Sequence, residues 1–170
     1  MKATIRLTKP DAALIRFLNR CDEKGFLNNN TFKHMRFGWC MDQGGAWWAT
    51  QISNEIVAVS GVHPFDDGYR VLFRGAQTSL RPFSGLNKLQ KQNYCFVDHL
   101  PLQIEFANGL PVYVTTNSKN DNSGKMGRMN RAAQILADLG VLEYCYEADI
   151  YNVRQSVWRV NVDNYLKAMK

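Results

Sequence analysis

The stretch from Leu110 to Tyr151 constrains the fold more than any other part of this 170-residue chain. Pro111 to Asn117 is a β-branched, alternating run, which is strand chemistry. Asn117 to Gly124 is rich in Asn, Asp, Ser and Gly, and this composition predicts a solvated loop. Met129, Ala132, Ala133, Leu136 and Leu139 then recur at three-to-four spacing, which predicts an amphipathic helix ended by Gly140. Val141 to Tyr151 returns to strand. Strand, polar loop and helix in that order set polar groups at a strand's carboxyl end beside a helix N-terminus, where α/β folds bind anionic cofactors.

The rest of the chain supplies the remaining layers. Ala3 to Thr8 alternates and reads as a strand; from Asp11 the residues Leu14, Ile15, Phe17, Leu18 and Cys21 give a helix that Gly25 can end. Asn28 to Thr31 can cap a shorter helix running to about Arg36. Gly45 to Ile52 and Glu55 to Gly61 form a hairpin around Ser53-Asn54. Pro64 to Gly68 breaks the chain before a further strand, Tyr69 to Thr78, in which Gly75 suggests a bulge. Asp98 to Pro101 has the chemistry of a helix start, with Asn108-Gly109 as the stop. Gln155 to Val160 and Val162 to Met169 read as a last strand and a terminal helix. The expected fold is α/β (α+β), a single domain over residues 1–170 with a mixed, mostly antiparallel sheet of six to seven strands flanked by helices.

Composition narrows the function classes. No run approaches the roughly 18 apolar residues of a membrane span, and Met1 to Arg6 lacks a signal-peptide core, so a cytoplasmic protein is expected. Cys21, Cys40, Cys95 and Cys145 are scattered without Cys-x-x-Cys spacing; they are expected to be buried thiols, and no metal site is predicted. A net charge of +6 favours polyanionic partners, with CoA, nucleotides and nucleic acid all in that class.

The order of elements, and Leu136 to Val141 followed by a strand, resemble the GNAT superfamily of N-acetyltransferases, whose members often end this helix with a Leu-Gly-Phe-like turn. Leu100 to Glu105 and Thr115 to Asn117 also look like segments of small acetyltransferase-like proteins from bacteriophage genomes. The resemblance implies acetyl-CoA, or another acyl-CoA, as cosubstrate and an amine as acceptor. It further implies that the fourth and fifth strands splay apart to admit the pantetheine arm, while the pyrophosphate rests on amides that open the third helix. The family's pyrophosphate signature does not occur at its usual spacing. Arg81, Ser84, Gly85 and Lys88 are the residues in the corresponding region that can cradle phosphate, Gly85 by close backbone approach and the cations by charged donors. A second geometry, with a helix beginning near Asp98-His99 presenting its amides, is less favoured because Asp98 would repel the pyrophosphate.

Acyl transfer needs a polarised thioester carbonyl, a route to deprotonate the ammonium, and a proton for the leaving thiolate. Backbone amides near Phe73, Arg74 and Gly75, in the bulged strand, can polarise the carbonyl. His63 is the best-tuned candidate base because imidazole titrates near neutrality. Glu105 is a second candidate, as a base or an amine anchor. Tyr94 and Tyr113 are candidate acids, since the position that carries a tyrosine in many relatives is Leu136 here. Asn117 can bond the pantetheine amides. Of Trp47 and Trp48, one is expected in the core and the other at a substrate mouth. His34 and His99 sit in contexts that single out neither. Two other classes remain open: a non-catalytic binding protein on the same fold, and a nucleic-acid-binding or DNA-modifying protein using Arg70, Arg74, Arg81, Lys88, Lys91, Arg128 and Arg131.

Overall fold

Alternating side chains make Lys2–Leu7 the first strand, β1, in the computed structural model, which describes residues 1–9, 11–17, 34–76, 94–118, 124–150 and 152–170. Residues 12–17 form helix α1, started by Asp11, whose Oδ1 accepts the Leu14 N–H at 2.8 Å. Helix α2 spans His34–Asp42, beyond the expected end at Arg36. Burial carries it onward: Cys40 is fully buried and its Sγ donates to the Val62 carbonyl at 3.1 Å, a contact between segments far apart in sequence.

Strands β2 (Ala46–Ile52) and β3 (Glu55–Phe65) form the expected hairpin, with Ser53 and Asn54 both at positive φ, as a tight mirror-image turn requires. β3 runs through Pro64, which the sequence reading treats as a break. Pro64 lies one residue from the Asp66-Asp67 turn, where a missing N–H costs a ladder little. Strand β4 is Gly68–Ala76. A π-helical turn, Cys95–His99, runs directly into helix α3, Leu100–Ala107, which Asn108 ends in the left-handed conformation. The helix therefore starts before Asp98-His99, and those residues lie inside its first turns rather than presenting open amides. Strand β5 is Val112–Asn117, helix α4 Gly124–Asp138, strand β6 Leu142–Ile150, strand β7 Val153–Val160 and helix α5 Val162–Ala168. Gly140, at positive φ, follows α4 as the sequence predicts.

The seven strands lie in the order β1-β2-β3-β4-β5-β7-β6, antiparallel except between β4 and β5. A parallel pair cannot be joined by a tight turn, and the connection carrying α3 makes this crossover. Each face of the sheet has its own core. Leu14, Phe17 and Cys40 of α1 and α2 cover Leu7, Trp47, Ala49 and Val59 on one face. On the other, Leu100 and Ala107 of α3 and Ala133 and Leu136 of α4 cover Trp48, Val62, Val71, Val114 and Trp158. Trp47 and Trp48 do point to opposite faces, but both are buried, and Trp48 packs edge-on against Phe106, so neither lines a substrate mouth. Cys40 and Cys95 are buried as expected; Cys145 is exposed, at a register shift in β6. Among the described residues no helix is long and apolar enough to cross a membrane.

Candidate functional site

The sheet opens between β4 and β5. Tyr69 donates its N–H to the Pro111 carbonyl at 2.9 Å, and the strands then pair only as Tyr69 with Val112 and Arg70 with Tyr113. Gly68 makes the close start feasible, because a Cβ there would fall on the Pro111 carbonyl oxygen. Beyond this junction each strand follows its other neighbour. β4 stays on β3 as far as Ala76 opposite Ala58, and β5 stays on β7 as far as Asn117 opposite Gln155. The inner edges of Val71–Ala76 and Val114–Asn117 therefore share no register partners with each other.

A bulge bends β4 at this point. The β3 register jumps from Ser60 opposite Arg74 to Gly61 opposite Leu72, which leaves Phe73 as the extra residue. A bulge bends its strand and leaves one residue out of the ladder. It falls two residues before Gly75, where the sequence suggests it, and within the segment expected to polarise a carbonyl.

Arg70 closes the narrow end of the wedge on the face that carries α2. It is buried; its Nε donates to His63 Nε2 at 3.1 Å and its Nη1 to Thr115 Oγ1 at 3.0 Å, so one side chain ties β3, β4 and β5 together. The Trp39 ring of α2 lies 5.3 Å from the His63 ring, centroid to centroid. Beside this group Tyr113 Oη donates to Asp67 Oδ1 at 2.5 Å, and Tyr146 Oη to Asp66 Oδ2 at 2.6 Å. The bond to Asp67, reinforced by burial and by both carboxylates, pushes the Tyr113 phenol up to about 12. Burial, followed by the bond to Asp66, pushes Tyr146 up as well.

The candidate residues separate on this frame. His63 lies at the wedge, but the nitrogen that would take a proton is already accepting one from Arg70. Tyr113 is adjacent, with its proton committed to Asp67. Asn117 stands half-buried at the open end of β5, on the same face as Tyr113 and Thr115 by strand alternation. Tyr94 stands just before the π-helical turn, with the Lys2 ammonium 5.7 Å from its ring centroid, while its neighbour Cys95 donates to the carbonyl of Val59, the residue opposite Gly75. Glu105 is exposed on α3, whose buried residues pack on the sheet face opposite to His63 and Arg70. Phe73, Arg74 and Gly75 line the wedge with their backbone. Arg81, Ser84, Gly85 and Lys88 lie outside the described residues. Leu136 is buried in the core, so α4 offers no acid there.

Two groups escaped the sequence reading. Arg70 read as one cation of a basic surface, and its burial removes it from a nucleic-acid footprint. Its partnership with His63 was available in principle, because a two-residue turn at Asp66-Asp67 places residues 63 and 70 opposite each other. His99 is the second. It is fully buried, with Nε2 2.8 Å from Thr50 Oγ1 and Nδ1 2.7 Å from Ser60 Oγ, while Gln103 Nε2 donates to the same Ser60 oxygen at 2.9 Å. Burial lowers its pKa to about 4. Nothing local in the sequence marks it.

In overall architecture the chain is similar to solved acetyltransferases. The chain has the GNAT N-acetyltransferase fold. Aminoglycoside 6'-N-acetyltransferase from Enterococcus faecium is similar with a TM-score of 0.62 at 9% identity, over 93% of this chain and 96% of that one. Ribosomal-protein-S18-alanine N-acetyltransferase from Escherichia coli gives 0.60 at 8% identity, over 94% and 93%. An aminoglycoside 6'-N-acetyltransferase solved with coenzyme A gives 0.58 at 12% identity, over 92% and 95%. No family model and no curated protein matches the sequence.

Proposed function

We propose that the chain is an acyl-CoA-dependent N-acyltransferase that transfers an acyl group, acetyl in the simplest case, to an amine. The observation that carries this reading is the end of β4–β5 pairing after Arg70 and Tyr113. It leaves two strand edges facing a gap, and an extended amide-bearing chain such as pantetheine can pair with such an edge as an added strand does. A fold neighbour that holds coenzyme A supports the same choice of cosubstrate. Neighbours of nearly equal similarity act on an aminoglycoside and on a ribosomal-protein alanine, so fold likeness leaves the acceptor open.

When bound, acyl-CoA supplies an activated acyl group as a thioester. The β4 backbone around Phe73 directs amides at its carbonyl oxygen, where negative charge grows during attack. Asn117 and the Val114–Asn117 edge hold the arm from the β5 side. Arg70, through His63 and Thr115, sets the separation of the strands at the closed end. The amine nitrogen bonds to the acyl carbon as the C–S bond breaks, and the amine's surplus proton leaves to water. A thiolate is a competent leaving group without a strong acid, being far less basic than an alkoxide, which fits a site where Tyr113 holds its proton for Asp67.

Thermal unfolding with acetyl-CoA tests the cosubstrate. Ligand at ~100 times its dissociation constant adds about 2.7 kcal/mol to stability. Thiol release in the presence of a panel of primary amines then tests transfer. Binding without release from any amine would favour a non-catalytic binding role, the reading that the engaged His63 and the buried Leu136 most support. Absence of any stabilisation would remove the transferase reading and leave the non-catalytic one.

A further inference from the structure

The two residues that grip His99 are the residues at which the sheet slips register. Thr50 is the last residue of β2 in one register with β3: it opposes Ala58, whereas Gln51 opposes Ile56, so Val57 is an inserted residue. Ser60 is the last residue of β3 in one register with β4, before Phe73 is inserted opposite it. Both hydroxyls bond the same imidazole, and both lie fully buried on the α3 side of the sheet. His99 and Gln103 stand one helical turn apart, so the π-helical turn and α3 present them together to Ser60. An amide N–H can only donate, so Ser60 Oγ accepts from Gln103; its own hydrogen is then available to His99 Nδ1, leaving the Nε2 hydrogen for Thr50.

We propose that His99 is a positioning residue for the thioester site: by holding Thr50 and Ser60 it fixes both bulges, and so the placement of the β4 amides that line the wedge. A bulge is an alternative to regular pairing, and a one-residue slip would move every following side chain to the other face. Sliding β4 past Phe73 would carry Arg74–Ala76 out of their pairing with Ser60, Val59 and Ala58. Buried hydroxyls with well-placed partners resist such a slip, because it would strand them without bonds in the interior. His99 touches neither the acyl group nor the acceptor. Its consequence for rate rests on the acyl-transfer reading; its hold on register rests on geometry alone.

The test compares wild type with His99→Phe, which keeps a ring but removes both of its bonds, with Thr50→Val, which removes one of the two, and with Gln103→Met, which removes the bond from Gln103 to Ser60. Amide hydrogen exchange without ligand is the first readout. The proposal expects exchange of Arg74–Ala76 and of the facing Ala58–Ser60 amides to rise about tenfold beyond that of the β5–β7 pair. A uniform rise in step with global stability would overturn it. Steady-state kinetics at a temperature where each variant is folded is the second: kcat should fall about tenfold or more while KM for acetyl-CoA stays within about twofold. An unchanged kcat, or equal changes in both constants, would overturn the positioning role. Should His99→Phe fail to fold, the two milder variants carry both measurements. Should wild type transfer to no amine, the acyl-transfer reading falls, and the exchange result still judges the clasp.

Discussion

Arg70 donates its Nε hydrogen to His63 Nε2 at 3.1 Å, so the lone pair that would make His63 a base is already in use. A neutral imidazole has one acceptor nitrogen, and its Nδ1 must then carry the proton. His63→Gln, whose amide oxygen can still accept from Arg70, is expected to keep kcat/KM within about fivefold, whereas loss of a true general base costs about a hundredfold or more. The acidic limb of the pH–rate profile should persist in this variant. Its disappearance would return His63 to the role of base.

Tyr113 leads to a parallel expectation. Its hydrogen bond to Asp67, first among the causes, raises the phenol to about 12, so at neutral pH it holds its proton more firmly than a departing thiolate could demand. Tyr113→Phe should leave kcat within about threefold, against the hundredfold typical of a lost general acid. Ultraviolet titration of wild type and variant should differ by one tyrosine ionising well above pH 10. A hundredfold loss of kcat would show that the phenol donates to the leaving group after all.

Acid stability should report His99. Unfolded, this group takes up a proton near 6.5; folded, it does so only near 4. Between those values the unfolded chain binds more protons, so stability falls as the pH drops from about 6.5 towards 4 and levels off below that. At about 1.4 kcal/mol per pKa unit the loss is on the order of 3 kcal/mol. Urea unfolding of wild type and His99→Phe across this range should show a shallower slope in the variant. Identical slopes would mean that the imidazole is not titrating in the interior.

Gly68 offers a steric test of the junction. A methyl group there would press on the Pro111 carbonyl oxygen, where β4 and β5 first meet. Gly68→Ala is expected to cost about 1–3 kcal/mol, as other overpacked sites do, and to weaken acetyl-CoA binding by moving the origin of the wedge. Chemical denaturation and calorimetric titration measure the two effects. Full stability in the variant would show that the strands can separate without cost.

Legibility varied with the range of the interactions involved. The β2–β3 hairpin was readable because Ser53-Asn54 is a local signal, and α4 because its apolar residues repeat along one face and Gly140 follows. The true extents of α2 and the π-helical turn were not, since each is decided by a distant partner: Cys40 against Val62, and Tyr165 Oη donating to the Phe96 carbonyl. Among site residues, His63, Tyr113 and Asn117 do gather at the wedge; Glu105 does not, because a residue on a helix face gives no sign of which side of the sheet it will serve.

By itself the sequence determined which segments are strands and helices, their order, and hence a mixed sheet with helices on its faces, because periodicity and turn chemistry are written in neighbouring residues. Only the tertiary structure decided where β4 leaves β5, that Arg70 is a buried tie rather than a surface cation, and that His99 lies between two hydroxyls. Those outcomes depend on pairing register and on the burial of polar groups between strands far apart in the chain, and neither is encoded at any single position.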